Sequence, residues 1–400
     1  MNTSVQERHG ACSLLVLTFS ELEQKTHEIH IVIMIKLDGS QQFRQRILLS
    51  TLSGKAMQID TIRADDQNPG LRDYEASLLR LIEKVTNGCK IEINETGTRL
   101  RYRPGFVHGG GDLEHDCGTS RGIGYFLEPL CLLALFGKYP LSIRLYGITN
   151  DGLDVGVDMW RTVTLPLLRQ IVGSEGVQGS FELKIVKRGS APGGGGEIWL
   201  QVPMMKKKLP PVSMLEEGLV KRVRGIAFAT KVSPQTTNRL VDGARGVLNN
   251  LLPDVYIFTD HMSGHQAGES PGYGVLLVAE TNTGRMLGTE TVMAGDLNRS
   301  DQQVPEDVGK KAGYMLLDEV SRGGVVDTSH QALVLLLCAF GPEEINEVRL
   351  GPLTPYAVKT LRHIREFLGV QFSVRPENTS GTIFLSCIGA GITNLSKRIQ

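Results

Sequence analysis

Basic residues near the start of the chain and around position 187 form its most prominent chemical pattern. Lysine and arginine side chains bind phosphate groups, and along a nucleic acid they do so without reading the base sequence. The residues predicted to bind RNA or phosphate are Arg44, Arg46, Arg63, Arg72, Lys187 and Arg188. The chain balances 43 Lys+Arg against 43 Asp+Glu. This balance excludes a strongly basic nucleic-acid coat protein. The alternative interpretation is that these cations are ordinary surface residues exposed to solvent.

Two shorter stretches are also basic. Residues 206–208 (KKK) form a run of lysines, and residues 101–103 (RYR) place an aromatic residue between two cations on a predicted strand. If these side chains share a surface, they provide further phosphate contacts without sequence readout. If they do not, they are solvated surface residues.

The densest glycine run of the chain is residues 192–197 (PGGGGE). It lacks the G-K-[ST] ending of a P-loop. Because it lies between two predicted strands, it predicts a wide hairpin turn. The functional alternative is a backbone nest that binds phosphate or RNA, with Lys187 and Arg188 just upstream.

A serine-hydrolase pattern occurs at residues 118–122 (GTSRG), preceded by residues 108–111 (HGGG). The first resembles a nucleophile elbow around Ser120, and the second resembles an oxyanion loop. However, polar residues 114–117 (EHDC) stand where the elbow needs an apolar strand. In a second match, residues 268–272, Pro271 follows the serine and has no N–H to donate to an oxyanion. The sequence therefore disfavours an esterase.

Cysteine and histidine spacing predicts neither a metal nor a cofactor. The six cysteines stand singly without C-x-x-C spacing, which favours reduced thiols over a zinc site or a disulfide framework. His115 and His330 are isolated and lack metal-ligand spacing. No apolar stretch reaches the roughly 18 residues of a membrane span, so no membrane association is predicted.

The order of apolar patterns predicts a repeated architecture. Three units, each with two helices and about four strands, predict a mixed α/β (α+β) fold whose large domain comprises residues 29–215 and 297–400. A smaller α/β domain is inserted at residues 216–296, and residues 1–28 form an N-terminal extension.

Individual elements follow from the same patterns. Residues 29–37 (IHIVIMIKL) and 332–339 (ALVLLLCA) predict strands because they are short apolar runs. Apolar residues at helical spacing predict helices over 160–171, which Pro166 would kink, and over 308–320 and 358–368 in the third unit.

Six motifs in colinear order make the chain resemble the RNA 3′-terminal phosphate cyclase superfamily. They are residues 37–40 (LDGS), 68–72 (NPGLR), 147–150 (GITN), 187–197 (KRGSAPGGGGE), 351–354 (GPLT) and 389–394 (GAGITN). The resemblance covers about residues 30–400 and implies the cyclase fold. The runs 68–75 and 77–88 are most similar to the cyclase-like, ribosome-biogenesis branch.

The chain departs from the cyclases where their chemistry takes place. Residues 41–46 (QQFRQR) replace the glycine-rich segment that follows D-G-S in cyclases. The cyclase histidine that becomes adenylylated corresponds to Tyr356, whose phenol, with a pKa of about 10, is protonated at neutral pH. The resemblance therefore implies the cyclase scaffold without cyclase chemistry, so the chain is not expected to be an enzyme.

An RNA-processing enzyme, either a residual cyclase or an endonuclease, remains the alternative. In some members of the cyclase-like branch an Arg-Asp-x-Lys set is proposed to cut pre-ribosomal RNA, and the matching helix here carries Arg362, His363 and Arg365. This set can grip phosphate, but it has lost the carboxylate that would act as a base or metal ligand.

The function that the resemblance implies is that of a non-catalytic ribosome-assembly factor. It implies a place in the small-subunit processome and support for early pre-rRNA cleavages in small-subunit rRNA maturation. The implied partners are a ribosome-assembly GTPase, processome proteins and pre-rRNA, and the implied location is the nucleolus within the nucleus.

Overall fold

The computed structural model of the chain describes residues 34–294 and 304–394. A π-helical turn, Trp160–Thr164, joins two of its helices, and a 3-10 turn covers Gly264–Gln266. The helices are α1 (Phe43–Ser53), α2 (Asp73–Val85), α3 (Gly124–Leu135), α4 (Val157–Met159), α5 (Leu165–Val172), α6 (Gln235–Leu248), α7 (Pro305–Arg322), α8 (Gln331–Phe340) and α9 (Pro355–Leu368).

The strands are mostly short and fall into four four-stranded sheets and two two-stranded pairs within the described residues. In chain order they are β1 (Ile35–Asp38), β2 (Met57–Asp60), β3 (Thr86–Asn87), β4 (Lys90–Ile93), β5 (Leu100–Arg103), β6 (Phe106–Val107), β7 (Gly110–Asp116), β8 (Leu141–Gly147), β9 (Val177–Gln178), β10 (Glu182–Lys187), β11 (Gly196–Val202), β12 (Met204–Met205), β13 (Ser213–Met214), β14 (Val220–Thr230), β15 (Val255–Met262), β16 (Gly272–Thr281), β17 (Met286–Ala294), β18 (Ile345–Leu350), β19 (Ser373–Pro376) and β20 (Ile383–Ile388).

Three of the sheets share one pairing order. Their orders are β1-β2-β5-β4, β7-β8-β11-β10 and β13-β18-β20-β19. In each of these orders the first strand pairs parallel to the second, the second pairs antiparallel to the third, and the third pairs antiparallel to the fourth. The predicted mixed α/β class is confirmed.

The helices of these three units pack against one another behind the sheets. Helix α1 contacts α3 and α9, and α9 contacts α8. Their apolar side chains join the inner faces of the three sheets in one continuous hydrophobic core. The starts of α1, α2, α3 and α9 carry residues that line one pocket, described below.

The fourth sheet, β15-β14-β16-β17, belongs to the insertion and has its own hydrophobic core with α6 and α7. Two glycines allow the helices to touch, because Gly243 lies against the backbone of Glu306 and Gly309 against the carbonyl of Leu240. Helix α7 confirms the helix predicted over 308–320, but it packs here rather than in the third unit, whose sheet is accompanied by α8 and α9. The predicted boundary between 296 and 297 lies outside the described residues.

The strand predicted over 332–339 is wrong, because this segment is helix α8. All ten of its residues are buried. A helix that is apolar on every side has no period of 3.6 in its sequence, so it cannot be told from a buried strand by pattern alone. The strand predicted over 29–37 is described from residue 34 and is observed as β1; residues 29–33 and the predicted extension 1–28 lie outside the described residues. None of the described helices combines the length and apolar character that a bilayer span requires.

Candidate functional site

A pocket of about 570 Å³ opens where the three units and the insertion meet. The first unit contributes the start of α1 and the start of α2, the second the start of α3 and the loop before α4, and the third the start of α9. The insertion contributes β17 and α7. The ionisable side chains that line the pocket include Arg44, Arg63, Arg121, Asp154, Glu290 and Tyr356.

Arg44, in the first turn of α1, is the most extensively paired cation of the pocket. Its Nη1 donates to Asp154 Oδ1 over 2.7 Å, and its Nη2 lies 2.9 Å from Glu128 Oε2. Its Nε donates to the hydroxyl of Tyr356 over 3.2 Å. Burial lowers the pKa of Arg44, but Glu128, Tyr356 and Asp154 together raise it by a larger amount. The pKa of Arg44 therefore lies well above its ordinary value. Every nitrogen atom of this guanidinium group is therefore engaged inside the protein.

Arg121, in the loop before α3, shares the carboxylate of Asp154 with Arg44. Its Nε donates to Asp154 Oδ2. Its Cζ lies 5.2 Å from the ring centroid of Tyr74 and 5.3 Å from that of Tyr125. The Cζ of Arg44 lies 5.2 Å from the same Tyr125 ring. Burial raises the pKa of Tyr125 despite the nearby Arg44 charge. The ring is therefore a neutral contact for two cations.

Tyr356 lies at the start of α9, where Thr354 caps the helix by accepting a hydrogen bond from Ala357 N over 3.1 Å. Burial, with the charge of Glu128 next, raises the pKa of the Tyr356 phenol well above its usual value, although Arg44 acts in the opposite direction. The phenol is therefore protonated at neutral pH.

Arg63 and Glu75 form a bidentate ion pair at the start of α2. The two Nη atoms of Arg63 lie 2.7 and 2.8 Å from the carboxylate oxygens of Glu75, which also accepts from Arg72 N over 2.8 Å. The hydrogen bond to Glu75 raises the pKa of Arg63. The side chain of Arg72 instead reaches Asp66 at 3.1 Å and the carbonyl oxygen of Asn68 at 2.8 Å. Arg72 is thus the more exposed cation of the two, and it does not line the pocket.

Glu290, on β17, brings a buried carboxyl group from the insertion into the pocket. Its Oε2 accepts from Gly156 N over 3.0 Å, and its Oε1 accepts from Asn150 Nδ2. Burial, followed by the charge of Asp158, raises the pKa of Glu290 to about 7. This group therefore changes charge near neutral pH.

Arg188 does not lie on a surface, contrary to its predicted role in binding phosphate. Its side chain is only 1% exposed. Its Nη atoms donate to Asp158 over 2.6 and 2.8 Å, and its Nε and Nη2 donate to Asp260 over 3.1 and 2.7 Å. Its Cζ also lies 4.9 Å from the ring centroid of Phe228. Because Asp158 belongs to the second unit and Asp260 to the insertion, Arg188 joins the two parts of the fold.

Arg46 is likewise buried, at 6% exposure, which contradicts its predicted phosphate contact. Its Nη1 donates to the carbonyl oxygens of Asp38 and Gly39 over 3.2 and 2.7 Å. Its Nε donates to His363 Nε2 over 3.3 Å. These contacts occupy Nε and Nη1 of Arg46 inside the protein.

The three residues of the nuclease alternative do not share one exposed face of α9. His363 is buried at 8% exposure, whereas Arg362 and Arg365 are exposed. Burial, and after it the charges of Arg46 and Lys359, lower the pKa of His363 to about 4. The histidine is therefore neutral at neutral pH and directed inward.

The glycine-rich segment forms the turn between β10 and β11, which pair antiparallel, so the predicted hairpin is confirmed. The turn also contacts the insertion. Glu269 N donates to the carbonyl of Gly194 over 3.0 Å, and Gly193 N donates to Ser270 Oγ over 2.9 Å. Gly268 fits against the Gly194 carbonyl so closely that a Cβ there would collide with it. At these contacts the backbone of the turn binds protein rather than an external anion.

The remaining predicted groups are more dispersed. Lys187 is partly exposed at the end of β10, and its predicted phosphate contact stays a prediction. Ser120 is exposed before α3 and forms no hydrogen bond with a histidine among the described residues. Across residues 34–294 and 304–394, no three His, Cys, Asp or Glu side chains are placed to hold a metal ion. The cysteines described there are free thiols: Cys89, Cys117, Cys131, Cys338 and Cys387.

Sequence reasoning missed several residues of the pocket. Arg121 lies inside the 118–122 motif, and Asp154 follows the 147–150 motif, so their neighbourhoods were recognisable. Glu75 and Tyr125 lie on helices α2 and α3, and nothing in the sequence distinguishes them from the other residues there. No sequence pattern pointed to Glu290 as a pocket residue, because it lies on a strand of the insertion while the other units form most of the pocket.

The fold and the pocket define a mixed α/β protein of three like sheets and one insertion, whose pocket cations are paired with carboxylates. A family model described as RNA 3′-terminal phosphate cyclase matches residues 35–374. Since this match spans most of the sequence, the chain belongs to the RNA 3′-terminal phosphate cyclase family. The resemblance deduced from the motifs is confirmed.

Individual relatives narrow the similarity to the cyclase-like branch. The chain is 50% identical to a probable RNA 3′-terminal phosphate cyclase-like protein of Arabidopsis thaliana, over 92% of this chain and 100% of the relative. It is 47% identical to the human RNA 3′-terminal phosphate cyclase-like protein, over 90% and 97%. It is 44% identical to an rRNA processing protein of Schizosaccharomyces pombe, over 91% and 98%.

Proposed function

We propose that the chain is a non-catalytic ribosome-assembly factor of the small-subunit processome, required for early pre-rRNA cleavages in small-subunit rRNA maturation. The observation that carries the proposal is Tyr356. This residue stands where the family resemblance places the adenylylated histidine of the cyclases. Its phenol is protonated and accepts a hydrogen bond from Arg44. A protonated phenol does not provide the imidazole nitrogen that forms a labile phosphoramidate with AMP.

The pairing of the pocket cations also supports a scaffold role. An enzyme that transfers phosphoryl or nucleotidyl groups directs cationic donors at the charge that develops in the transition state. Here Arg44 and Arg121 donate to Asp154, and Arg63 donates to Glu75. These donors are directed at carboxylates of the same chain. An incoming phosphate would therefore have to displace the carboxylates before it could bind the arginines.

The relatives give the proposal its biological setting. The fission yeast relative is named an rRNA processing protein, and the proposal extends rRNA processing to this chain. The proposed partners are a ribosome-assembly GTPase, other processome proteins and pre-rRNA, and the proposed location is the nucleolus. Docking by shape complementarity on protein and RNA would be the mode of action.

The test is complementation in fission yeast cells depleted of the similar rRNA processing protein. Expression of this chain should restore the early pre-rRNA cleavages, measured by hybridisation of pre-rRNA intermediates, and the tagged chain should co-purify a GTPase and processome proteins. Tyr356→Phe keeps the ring and removes only the hydroxyl, so it should restore cleavage as well as the wild type. Failure of the wild type to restore cleavage would reject the assembly role, and selective failure of folded Tyr356→Phe would indicate chemistry at the phenol.

Two assays on purified protein address the enzymatic alternatives. Incubation with labelled ATP should yield no stable covalent AMP adduct, and an adduct lost in Tyr356→Phe would establish residual cyclase chemistry. For the nuclease, cleavage of a pre-rRNA spacer should be at background in the wild type and in the variant Arg362→Ala, His363→Ala, Arg365→Ala. Cleavage present only in the wild type would overturn the non-catalytic proposal.

A further inference from the structure

Three consecutive lysines, Lys206, Lys207 and Lys208, are exposed on a loop that the pocket does not use. Among the residues that the structure describes, none of the three side chains forms a hydrogen bond or an ion pair. This distinguishes them from Arg44, whose nitrogen atoms are all engaged. Unpaired lysines on a neutral chain are a local concentration of available positive charge.

The loop is fixed next to a second exposed turn. The side-chain amide of Asn394 donates to the carbonyl oxygen of Gly137 over 2.7 Å and to that of Met205 over 3.1 Å. These carbonyls immediately precede the Lys138–Tyr139 turn and the lysine run. One amide group therefore holds the two segments side by side.

The backbone beneath the lysines is also held. Lys206 N donates to the carbonyl oxygen of Gly176 over 2.7 Å. The stem of Lys207 covers Gly176 so closely that a Cβ there would lie 3.1 Å from Lys207 Cγ. The lysine run is thus presented by a supported loop.

Tyr139 adds an accessible aromatic ring to this surface. The residue is 48% exposed. Its ring meets the exposed His108 edge-on, with centroids 5.2 Å apart, and Lys138 Nζ lies 5.8 Å from its centroid. Gly109, with a φ of 70°, packs against the Tyr139 carbonyl, where a Cβ would collide. The Tyr139 ring is therefore partly exposed, with Lys138 Nζ over one of its faces. An exposed aromatic ring is what a base needs for stacking.

We propose that Lys206, Lys207, Lys208 and Tyr139 form a single-stranded RNA-binding surface, in which the lysines contact phosphates and Tyr139 stacks on an unpaired base. Lysines next to an exposed aromatic ring match the combination that binds single strands without sequence preference. The inference rests on the proposed function, which brings the chain to pre-rRNA. It locates RNA contact away from Arg46 and Arg188, which are buried.

The test is fluorescence anisotropy of the full chain with a short labelled single-stranded RNA of mixed sequence, across a range of salt concentrations. The variant Lys206→Ala, Lys207→Ala, Lys208→Ala should bind about tenfold more weakly, and the slope of log affinity against log salt should fall by about 2. The matched control is Lys90→Ala, Lys221→Ala, Lys311→Ala, which removes the same charge from exposed lysines elsewhere and should bind like the wild type. Tyr139→Ala should weaken single-strand binding about fivefold and leave duplex binding unchanged.

Several results would overturn the proposal. They are no RNA binding by the wild type, equal losses in the lysine variant and its control, or displacement of RNA by polyglutamate at equal charge concentration. The last result would indicate an acidic protein segment as the occupant. None of them affects the complementation assay, so failure of this surface and failure of the assembly role are separate outcomes.

Discussion

Asp158 holds the guanidinium group of Arg188 through two hydrogen bonds of 2.6 and 2.8 Å, and both side chains are buried. Asp158→Ala would leave Arg188 with one partner, Asp260, which is 32% exposed. Removing one member of a buried pair costs about 3–5 kcal/mol in the free energy of unfolding. Urea unfolding should show this loss, and a smaller one for Asp260→Ala. Equal losses would contradict the central position given to Asp158.

Glu290 should make stability fall as pH rises towards neutrality. Its carboxyl pKa is about 7 in the folded protein against 4.5 ordinarily, because burial and Asp158 disfavour its charge. Between these values the folded state holds a proton that the unfolded state has released, so stability declines with pH and is constant above the window. The wild type should therefore lose up to about 3 kcal/mol relative to Glu290→Gln from pH 4.5 to 7. Parallel urea-unfolding profiles of the two proteins would show that Glu290 does not titrate in this window.

His363 should act in the opposite direction. Its pKa falls to about 4 through burial and the charges of Arg46 and Lys359, from 6.5 ordinarily. Between pH 4 and 6.5 the unfolded state binds the proton and the folded state does not, so stability rises with pH across this window and is lost on acidification. Relative to His363→Gln, the wild type should gain up to about 3 kcal/mol as pH rises from 4 to 6.5. A difference that is constant with pH, by urea unfolding, would refute the assignment.

Gly268→Ala should separate the glycine-rich turn from the insertion. The added Cβ would collide with the backbone carbonyl of Gly194, which has no flexible side chain to move aside. We expect a lower melting temperature and faster proteolytic cleavage within residues 264–272. The matched control is Gly246→Ala on α6, which meets nothing within 4 Å and should stabilise the protein by about 0.5–1 kcal/mol. Equal effects of the two substitutions would argue against the close contact.

The sequence predicted elements well where one face of an element is buried. Helix α9 buries Ala357, Ile364 and Phe367 and exposes its opposite side, so its period of 3.6 was visible. In β5, Tyr102 is buried and bonded to Thr51 at 2.8 Å, whereas its neighbours are exposed. Residues 101–103 (RYR) therefore place the aromatic ring on one face of the strand and the two cations on the other, because side chains alternate between the two faces along a strand.

The sequence could not predict which cations are available. Arg46 and Arg188 are buried, whereas Arg362, also an arginine, is exposed. Only the hydrogen-bond partners of Arg46 and Arg188, which are distant along the chain, distinguish them from Arg362. Those partners lie 317 and 72 positions away along the chain, at His363 and Asp260. Local pattern carries no information about contacts of that separation.

The clamp on Arg188 limits how freely the insertion can be exchanged. By backbone the insertion resembles a cassette, since Glu217, before β14, accepts from Gly324 N, after α7, over 2.7 Å. The charges do not allow a simple exchange, because replacing the insertion removes Asp260 while Arg188 remains in the rest of the fold. A chimera carrying a foreign insertion must supply an acidic residue at that position, or it will inherit an under-neutralised cation in its interior. Exchange of this module between relatives is therefore constrained by its charged contacts with the rest of the fold as well as by the sites where the chain is cut.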